Sequence, residues 1–438
     1  MAQKEIVYFV GAGLSKSLER LGKLIPLMYD FVSVMADYAP DDPVILTTLA
    51  ELENAGVFAW PAQEAHDLAK RVVGSDADRS RETVGRFRDA MKRRPAESIE
   101  DLLLRASSEG ERQRSPDSDE LRVSASVHAP DRFRYAVSRL FSVWIGWDVD
   151  WCPVERFLSH QFKSYPLETC KHTFISFNYD LLLDRAIQRI AHDAHHPNEP
   201  SWHSSTGYAF EVGWYLRDPE QLPCPSVSGG LVCRGFTERS EAHPLRLVVP
   251  SNVLILKPHG SLNWVIRHSE DHQSGEAGLM VDPNTPVFLP LTDAESLDYW
   301  RAEKQECANI YYKPQSNTNF AEAHCSIFLI PPTPPAKKTR PAFLTKVRDA
   351  ETAAITRADE IFVIGWSMPP TDEDQICMIR SCVTDREKPL DALTVINRGE
   401  HPEYFKRIAD KFGTPQSSLR VFNNGLSDYV ERVVDGAR

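Results

Sequence analysis

The sequence lacks paired cysteines, long apolar runs and any excess of positive charge, and each absence excludes a class of protein. Its eight cysteines stand singly, without a Cys-x-x-Cys pair, which argues against a disulfide scaffold and against a four-cysteine zinc site. No stretch approaches the ~20 apolar residues of a membrane helix, and the opening residues, MAQKEIVYFV, do not form a signal peptide. We therefore expect a cytoplasmic protein without membrane attachment.

Negative charge predominates, since 62 acidic residues against 50 basic ones give a formal net charge of −12. Strong direct binding to nucleic acid is not expected, because such binding depends on positive charge. One local cluster is basic, and only Glu82 and Asp89 interrupt it. It is either a solvated helix face or a docking patch for an acidic partner or for nucleic-acid phosphates. Its members are Arg79, Arg81, Arg86, Arg88, Lys92, Arg93 and Arg94.

The pattern of short apolar runs predicts an α/β fold. A chain of 438 residues has room for two or three domains of roughly 100–200 residues, or for one domain with large insertions. Runs rich in β-branched and aromatic residues predict strands at 5–10, 174–177, 253–256, 327–330, 360–364, 393–396 and 419–422. Helical periods lie between several of them, at 181–190, 343–356, 374–382 and 402–412. This alternation implies a Rossmann-like, mostly parallel sheet flanked by helices.

The region between the first two predicted strands has a helical pattern. Helical periods cover 65–73, 99–106 and 133–147, and the polar stretch 107–126 predicts a surface loop. We therefore predict one interrupted α/β domain, formed by residues 1–26 and 166–438, with a helical insertion after the first strand at residues 27–165. A proline-rich segment at 331–341 predicts an extended connector.

Four predicted strands each end in a short polar or glycine-containing motif. In open parallel sheets, ligands bind in the crevice outside the carboxyl ends of the strands, so we expect the four motifs to converge on one cleft. A fifth polar side chain, Asn397, follows the strand at 393–396. The motifs are Gly11-Ala12-Gly13-Leu14-Ser15, Asn178-Tyr179-Asp180, Pro258-His259-Gly260-Ser261 and Gly365-Trp366-Ser367.

The first two motifs also have an ordinary structural interpretation. The glycines at 11–13 allow a backbone to approach a pyrophosphate with its amides pointing at it, but a tight turn needs them too. Ser15 either contacts phosphate or caps the following helix, and Asp180 suits the cap of the helix that begins near residue 181. Asn178 precedes that cap by two residues, so capping explains it less well. Both interpretations stay open.

The last two motifs combine turn residues with reactive side chains. His259 lies between Pro258 and Gly260, so we expect its imidazole at a turn and not inside packing. Loop residues on a rigid scaffold carry function more often than core residues do. Gly365 permits close approach of the backbone, and Ser367 offers a hydroxyl to a ribose or a phosphate.

Taken together, the motifs resemble those of the sirtuin-like family, especially its prokaryotic defence-associated branch, which includes effectors of Thoeris, short-Argonaute and HerA-linked systems. GAGLS is similar to the family's GAG-x-S phosphate loop, FNYD to its Asn-x-Asp motif, and KPHGS to its catalytic His-Gly motif. IGWSMPPTD is similar to the late Gly-x-Ser turn that contacts a ribose, and VINRG to the segment near the adenosine. These matches follow the family's order and span residues 5 to about 425, leaving 27–165, 194–245 and 268–325 uncovered.

The resemblance implies a site for NAD and a role for each matching residue. Asn178 would bind the nicotinamide ribose and position a water molecule, and His259 would act as general base. Asp180 would face the carboxamide. The diphosphate would be held by Gly11, Ala12, Gly13 and Ser15, and the adenosine end would be lined by Gly365, Ser367 and Asn397.

The sequence departs from the deacetylase branch of that family in two places. Deacetylases carry a zinc module after the His-Gly motif, whereas residues 262–376 contain only Cys307 and Cys325, and a structural zinc needs four ligands. The loop after GAGLS also lacks the Gly-Ile-Pro-Asp-Phe-Arg run, which only Leu24-Ile25-Pro26 resembles. We therefore expect no structural zinc, no catalytic metal and no acyl-lysine cleft.

The function implied by the resemblance is hydrolysis of NAD to nicotinamide and ADP-ribose, by an antiphage effector that depletes NAD. Two alternatives stay open: a module that binds NAD or ADP-ribose without turnover, and a protein deacylase or ADP-ribosyl transferase. An NAD-depleting enzyme must be restrained. We therefore expect control by the helical insertion, by oligomer assembly or by another polypeptide. Our hypothesis is a homo-oligomer with a regulatory partner encoded in the same operon, such as a HerA-type ATPase.

Overall fold

The structure is a computed structural model. It describes residues 3–18, 30–40, 43–60, 62–74, 80–112, 137, 150–191, 200–202, 207–209, 214–216, 224–225, 231–233, 236–238, 251–268, 281–288, 323–329, 342–369, 372–386, 388–399 and 401–436.

Six strands form a fully parallel sheet flanked by helices, which confirms the predicted fold class. Their order in the sheet is β13-β12-β11-β1-β2-β7, and every neighbouring pair is parallel. The strands, numbered in chain order across the whole structure, are β1 Lys4–Val10, β2 Cys170–Ser176, β7 Val253–Leu256, β11 Glu360–Ile364, β12 Ala392–Ile396 and β13 Leu419–Phe422.

The central strands are apolar without alternation because both faces of the sheet are covered. β11 and β12 are buried along their whole length, and β1 is buried except at Lys4, as is typical of parallel sheets between helical layers. β13, at the sheet edge, is partly exposed. The register places Ile6 opposite Glu360 and Lys4 opposite Cys170.

The strand order reverses direction at β1. From β1 the chain builds β2 and β7 on one side, and later adds β11, β12 and β13 on the other. In doubly wound sheets, the crevice outside the carboxyl ends of the strands at this switch point is where ligands bind. The residues that follow β1 and β11 are Gly11 and Gly365.

The helices predicted within the α/β domain are confirmed, with boundaries shifted by at most two residues. In the described part of the chain, no helix is both long and apolar enough to cross a bilayer. The α-helices are α1 Ala12–Lys16, α2 Phe31–Tyr38, α3 Pro43–Asn54, α4 Gln63–Gly74, α5 Arg81–Lys92, α6 Ile99–Arg112, α7 Cys152–Ser164, α8 Leu182–Ala191, α9 Ala342–Arg357, α10 Glu373–Thr384, α11 Pro402–Lys411 and α12 Leu426–Tyr429, the last continuing into a π-helical segment at Val430–Asp435.

Aromatic side chains fill the layers on both faces of the parallel sheet. On one face, Phe157 of α7 meets Tyr8 and Phe362 edge to face, with ring centroids 6.2 and 6.4 Å away. On the other face, Phe9 lies 5.1 Å from Phe412, which follows α11. Successive side chains of a strand point to opposite faces, so Tyr8 and Phe9 anchor separate layers.

Helices α2 to α6 follow β1 and α1 in the chain, as the predicted helical insertion requires. α7, which also falls within 27–165, packs on the parallel sheet, and the domain boundary at 165/166 stays a prediction. The prediction of a loop at 107–126 is wrong for residues 107–112, where α6 continues. Once a helix has formed, each further residue adds one backbone hydrogen bond, so the helix extends into this polar sequence. The rest of that loop, the predicted helix at 133–147 apart from residue 137, and the connector at 331–341 lie outside the described residues.

A second, mostly antiparallel sheet accompanies the first, with the strand order β4-β5-β10-β8-β9-β3-β6. The strand predicted at 327–330 belongs here, so its assignment to the parallel sheet is wrong: it pairs antiparallel with β5 and β8. A short apolar run indicates a strand but not its partners. The strands are β3 Trp214–Leu216, β4 Cys224–Pro225, β5 Leu231–Cys233, β6 Phe236–Glu238, β8 Gly260–His268, β9 Val281–Phe288 and β10 Ala323–Leu329.

The basic cluster lies on α5 and the turn that follows it, and several of its cations are engaged by acidic residues of neighbouring helices. Arg93 pairs with Glu64 at 2.8 Å. Arg94 is buried and pairs with Glu53. These contacts favour an ion-paired helix face over a free docking patch. Arg79 lies outside the described residues.

Candidate active site at the carboxyl ends of the parallel strands

Gly11, Gly13 and Gly365 form a backbone junction at the carboxyl ends of β1 and β11. The Gly11 amide donates to the Ile364 carbonyl at 2.9 Å, and the Gly13 amide donates to the Gly365 carbonyl at 3.0 Å. A Cβ at position 11 would lie 2.6 Å from the Gly365 carbonyl oxygen, and one at position 13 would lie 2.6 Å from the Gly365 Cα. Gly365 also has a φ of +59°, which favours glycine. The close approach of two loops at the switch point therefore explains these glycines.

The hydrogen bonds of this junction use backbone amides that the predicted diphosphate contact would need. The amides of Gly11 and Gly13, which the resemblance assigns to phosphate, donate within the protein, and the Leu14 amide donates to the Gly11 carbonyl at 3.0 Å. A diphosphate at this loop would need donors other than these three amides. Ala12, the remaining residue of the predicted loop, is the first residue of α1 and is half-buried.

Ser15 links the first motif to the second. Its buried hydroxyl donates to Asp180 Oδ2 at 2.7 Å and accepts from Asn178 Nδ2 at 3.0 Å. The same amide nitrogen donates to the Gly11 carbonyl at 3.0 Å. A side-chain amide has two N–H donors and one acceptor oxygen. Both donors of Asn178 are therefore used inside the protein, and its Oδ1 is the atom left to accept from a ligand.

Asp180 serves the first turn of α8 as the capping interpretation predicts, and it also belongs to the site. Its Oδ1 accepts from the Leu182 amide at 3.0 Å, while its Oδ2 accepts from Ser15. Burial raises the pKa of this carboxyl, against the opposing effects of the nearby Lys257 charge and the Ser15 hydrogen bond. Its two oxygens hold α1 and the start of α8 in a common position.

Lys257 is fully buried and holds the turn that carries Asp180. Its ammonium donates to the Asp180 carbonyl at 2.5 Å and to Ser261 Oγ at 3.1 Å, and it pairs with Asp184 at 2.9 Å. The Tyr208 hydroxyl donates to the other oxygen of Asp184. Sequence reasoning missed Lys257 as a functional residue, although a lysine directly after a buried apolar strand was an available signal, since buried lysines are almost always paired.

His259 lies in the short connection between β7 and β8, where the chain passes from the parallel sheet to the second sheet. The imidazole lies at a turn, as predicted, but the expectation that it avoids packing is wrong, because it is buried. Its ring centroid lies 5.7 Å from that of Phe177 and 6.4 Å from that of Tyr179. These aromatic residues flank Asn178 in the chain, so His259 and Asn178 belong to one cluster.

Sequence reasoning assigned no role to Asp372, which lies beside His259, or to Trp366, which bonds Asp372. Asp372 Oδ1 is 3.8 Å from His259 Nε2, and the Trp366 indole donates to Asp372 Oδ2 at 2.8 Å. The Trp366 ring stacks on Phe177 with centroids 4.4 Å apart. Burial raises the pKa of Asp372, while a positive charge on His259 and the Trp366 hydrogen bond oppose this rise. The only signal in the sequence that pointed to Asp372 was its position at the end of the IGWSMPPTD motif.

Asn397 is joined to the Gly-x-Ser motif through Tyr404. Its Nδ2 donates to the Tyr404 hydroxyl at 2.9 Å, and that hydroxyl donates to the Trp366 carbonyl. Ser367 is exposed, and its carbonyl accepts from Arg407 at 3.3 Å. The residues that the resemblance assigns to the adenosine end therefore occupy one side of the site.

The structure thus brings the four motifs and Asn397 together at one edge of the parallel sheet. Within the described ranges, no group of three or more His, Cys, Asp and Glu side chains is arranged to hold a metal ion, and Cys307 lies outside those ranges. Neither the models of known protein families nor the curated protein sequences match this chain.

Proposed function

We propose that the chain hydrolyses NAD at the bond between nicotinamide and ribose, giving nicotinamide and ADP-ribose. The observation that supports this most is the cluster formed by Asn178 and His259. They come from separate motifs, yet His259 lies against the two aromatic rings that flank Asn178. An amide oxygen and an imidazole thus share one buried edge of a doubly wound sheet, next to a glycine junction at its switch point.

For this reaction the protein must orient the ribose, position a water molecule and supply a base. Nicotinamide leaves NAD as a neutral group from a cationic ring, so no general acid is needed to expel it. The transition state resembles an oxocarbenium ion, as in other glycosyl transfers. Asn178 Oδ1 would accept a hydrogen bond from a ribose hydroxyl or from the attacking water, and His259 would take the proton.

The rest of the site would hold the other end of NAD. Ser367 presents an exposed side chain beside the glycine junction, and Asn397 lies near it through Tyr404. At the nicotinamide end, Asp180, the residue assigned to the carboxamide, is adjacent to Asn178 through Ser15.

Hydrolysis is tested with a fluorescent etheno-NAD analogue, with the products separated by chromatography. We expect turnover in the wild type, and a loss of at least ~100-fold in both His259→Ala and Asn178→Ala, since a general base or a positioned water contributes that much. His160→Ala is the matched control, because His160 lies on α7, where it contacts Ser164 and Tyr429, and this variant should keep the wild-type rate. Full activity in either cluster variant would show that the roles are misassigned.

The same protein distinguishes hydrolysis from binding alone. Calorimetric titration with ADP-ribose measures affinity without turnover. Tight binding with no release of nicotinamide, with or without proteins encoded beside this chain, would replace the hydrolase by a binding module. Release of nicotinamide only in the presence of an acyl-lysine peptide or an acceptor protein would replace it by a deacylase or a transferase.

The biological setting we propose is antiphage defence in the cytoplasm, with activity restrained until infection. Restraint would come from assembly of a homo-oligomer, from the helical insertion or from a partner such as a HerA-type ATPase. Mass photometry of the chain alone and with its partner, paired with the etheno-NAD assay, tests this. A monomer that is fully active under all conditions would contradict it.

A further inference from the structure

Asp372 lies directly before α10 and faces the imidazole of His259, although 113 residues of chain separate the two positions. Its Oδ1 is 3.8 Å from His259 Nε2, and the exposed fractions of the two side chains are 5% and 9%. This distance is that of an ion pair and is longer than a hydrogen bond. Water is largely excluded from the pair, so the effect of the carboxylate charge on the imidazole is only weakly screened.

Trp366 fixes the carboxylate in this position. Its indole N–H donates to Asp372 Oδ2 at 2.8 Å, which leaves Oδ1 directed at His259. The indole packs against two rings, Phe177 at 4.4 Å and Phe9 at 5.7 Å, whose own centroids lie 6.2 Å apart. The carboxylate is therefore oriented by a rigid aromatic stack that begins in β1.

We propose that Asp372 is a positioning residue for His259, which orients the imidazole through Nε2 and stabilises the imidazolium that forms when His259 accepts a proton. This role rests on the proposed hydrolysis of NAD. A carboxylate beside an imidazole favours its protonated form without taking the proton itself. With Nε2 facing the carboxylate, Nδ1 is the nitrogen that accepts a proton from a ribose hydroxyl or from water.

The other titratable groups around His259 do not reproduce this effect. Tyr179, from the turn after β2, contacts His259 through its ring and carries no carboxylate. Lys257 precedes His259 by two residues, but its ammonium is bound to Asp184 and to the Asp180 carbonyl. Phe177 and Trp366 carry no charge. Asp372 supplies the carboxylate that lies within ion-pair distance of His259 Nε2.

The direct test is an NMR titration of His259, which needs no enzymatic turnover. Protein labelled in its histidine rings is titrated, and the His259 signal is assigned by its loss in His259→Gln. Asp372→Asn keeps the size and the acceptor for the Trp366 indole but removes the charge. We expect it to lower the pKa of His259 by about 1, since an adjacent opposite charge raises a pKa by that much or more. Glu373→Gln is the control. It removes a negative charge from an exposed side chain one residue away and should leave the pKa of His259 unchanged.

Asp372→Ser provides a second variant if the first one does not fold. Serine is accepted at the start of a helix, and its hydroxyl oxygen retains an acceptor for the indole. It should lower the pKa of His259 as Asp372→Asn does. An unchanged or higher pKa of His259 in a folded Asp372 variant would overturn the proposal, whether or not the wild type turns out to hydrolyse NAD.

Kinetics then separate positioning from general structural support. We expect Asp372→Asn to lower kcat by about tenfold, to leave KM within about twofold, and to move the acidic limb of the kcat/KM profile to lower pH. A rise in KM with unchanged kcat and an unmoved acidic limb would contradict a role through His259. A wild type without turnover would refute the proposed function alone, because the NMR result stands independently.

Discussion

The Ser15 hydroxyl accepts a hydrogen bond from the Asn178 side-chain amide at 3.0 Å, although 163 residues separate them in the chain. The Ser15 hydroxyl in turn donates a hydrogen bond to Asp180 Oδ2 at 2.7 Å. One hydroxyl therefore fixes both polar residues of the second motif against the first. With its N–H groups held, the Asn178 amide cannot rotate, and its oxygen points in one direction.

Replacing Ser15 by alanine should remove the hydroxyl that orients Asn178 and Asp180, without changing either of these residues. A buried acceptor and a buried donor lose a partner, so we expect the free energy of unfolding to fall by about 1–3 kcal/mol. Turnover of etheno-NAD should fall by about tenfold, with most of the loss in kcat. Ser17→Ala is the control, because the Ser17 hydroxyl donates to the Leu14 carbonyl of its own turn. Equal activity in the two variants would show that Ser15 does not orient Asn178.

Gly365→Ala should be severely destabilising because two costs coincide. The φ of +59° is unfavourable for a side chain by about 1–2 kcal/mol, and its Cβ would overlap the backbone of Gly13, which adds about 1–3 kcal/mol. Gly399 has a similar φ of +70° with nothing near its Cβ position. Gly399→Ala should therefore show the conformational cost alone. Urea unfolding of both variants measures the difference, and equal losses would contradict the close packing at the switch point.

The parallel sheet was predictable from the sequence because its strands are buried on both faces. The run at 5–10 has no polar interruption beyond Glu5, and such runs separated by helical periods predict βαβ units. The polar residues directly after those runs then indicated the binding edge, since all parallel strands end on the same side. Asn178 and His259 could be selected for that reason.

The second sheet and the supports of the site could not be predicted in this way. The sequence of a strand such as β10 does not indicate which strands it pairs with or in which direction, because pairing depends on contacts distant in sequence. Asp372 comes to lie beside His259, and Trp366 beside Asp372, only when the chain folds, because these residues are distant in the sequence or joined by a turn of irregular geometry. Lys257 was visible as a residue, but its burial became evident only with Asp184 and Tyr208 around it.

Removing the Lys257 ammonium should cost far more than removing an exposed one. Lys257→Met would leave Asp184 buried without its cation, and loss of one partner of a buried pair costs about 3–5 kcal/mol. Lys388→Met breaks the ion pair with Asp359 at an exposed lysine and should cost no more than about 1 kcal/mol. The double variant Lys257→Met with Asp184→Asn removes both buried charges and should recover part of the loss. Denaturant unfolding checks the cycle, and a double variant as unstable as the sum of the single ones would contradict the pairing.

His172 in β2 is held neutral by its surroundings. Its Nε2 lies 2.7 Å from the Tyr165 carbonyl, which can only accept, so Nε2 carries the proton and Nδ1 accepts from the Tyr8 hydroxyl at 3.0 Å. The ring packs parallel to Tyr8 and against Phe162. Burial lowers the pKa of His172 from 6.5 to about 4, against the smaller opposing effect of the Tyr165 hydrogen bond.

Acid should therefore destabilise the fold through His172 in a defined range of pH. The unfolded chain protonates this residue near pH 6.5 and the folded chain only near pH 4, so the unfolded state binds more protons between these values. Stability is then complete above pH 6.5 and is lost as the pH falls to 4, by about 3 kcal/mol at ~1.4 kcal/mol per pH unit. His172→Gln keeps a donor and an acceptor but does not titrate. We expect it to be less stable at pH 7 and to lose correspondingly less between pH 6.5 and 4 in urea unfolding. His401→Gln, at an exposed position, should follow the wild-type dependence, and the same dependence in His172→Gln would show that another group is responsible.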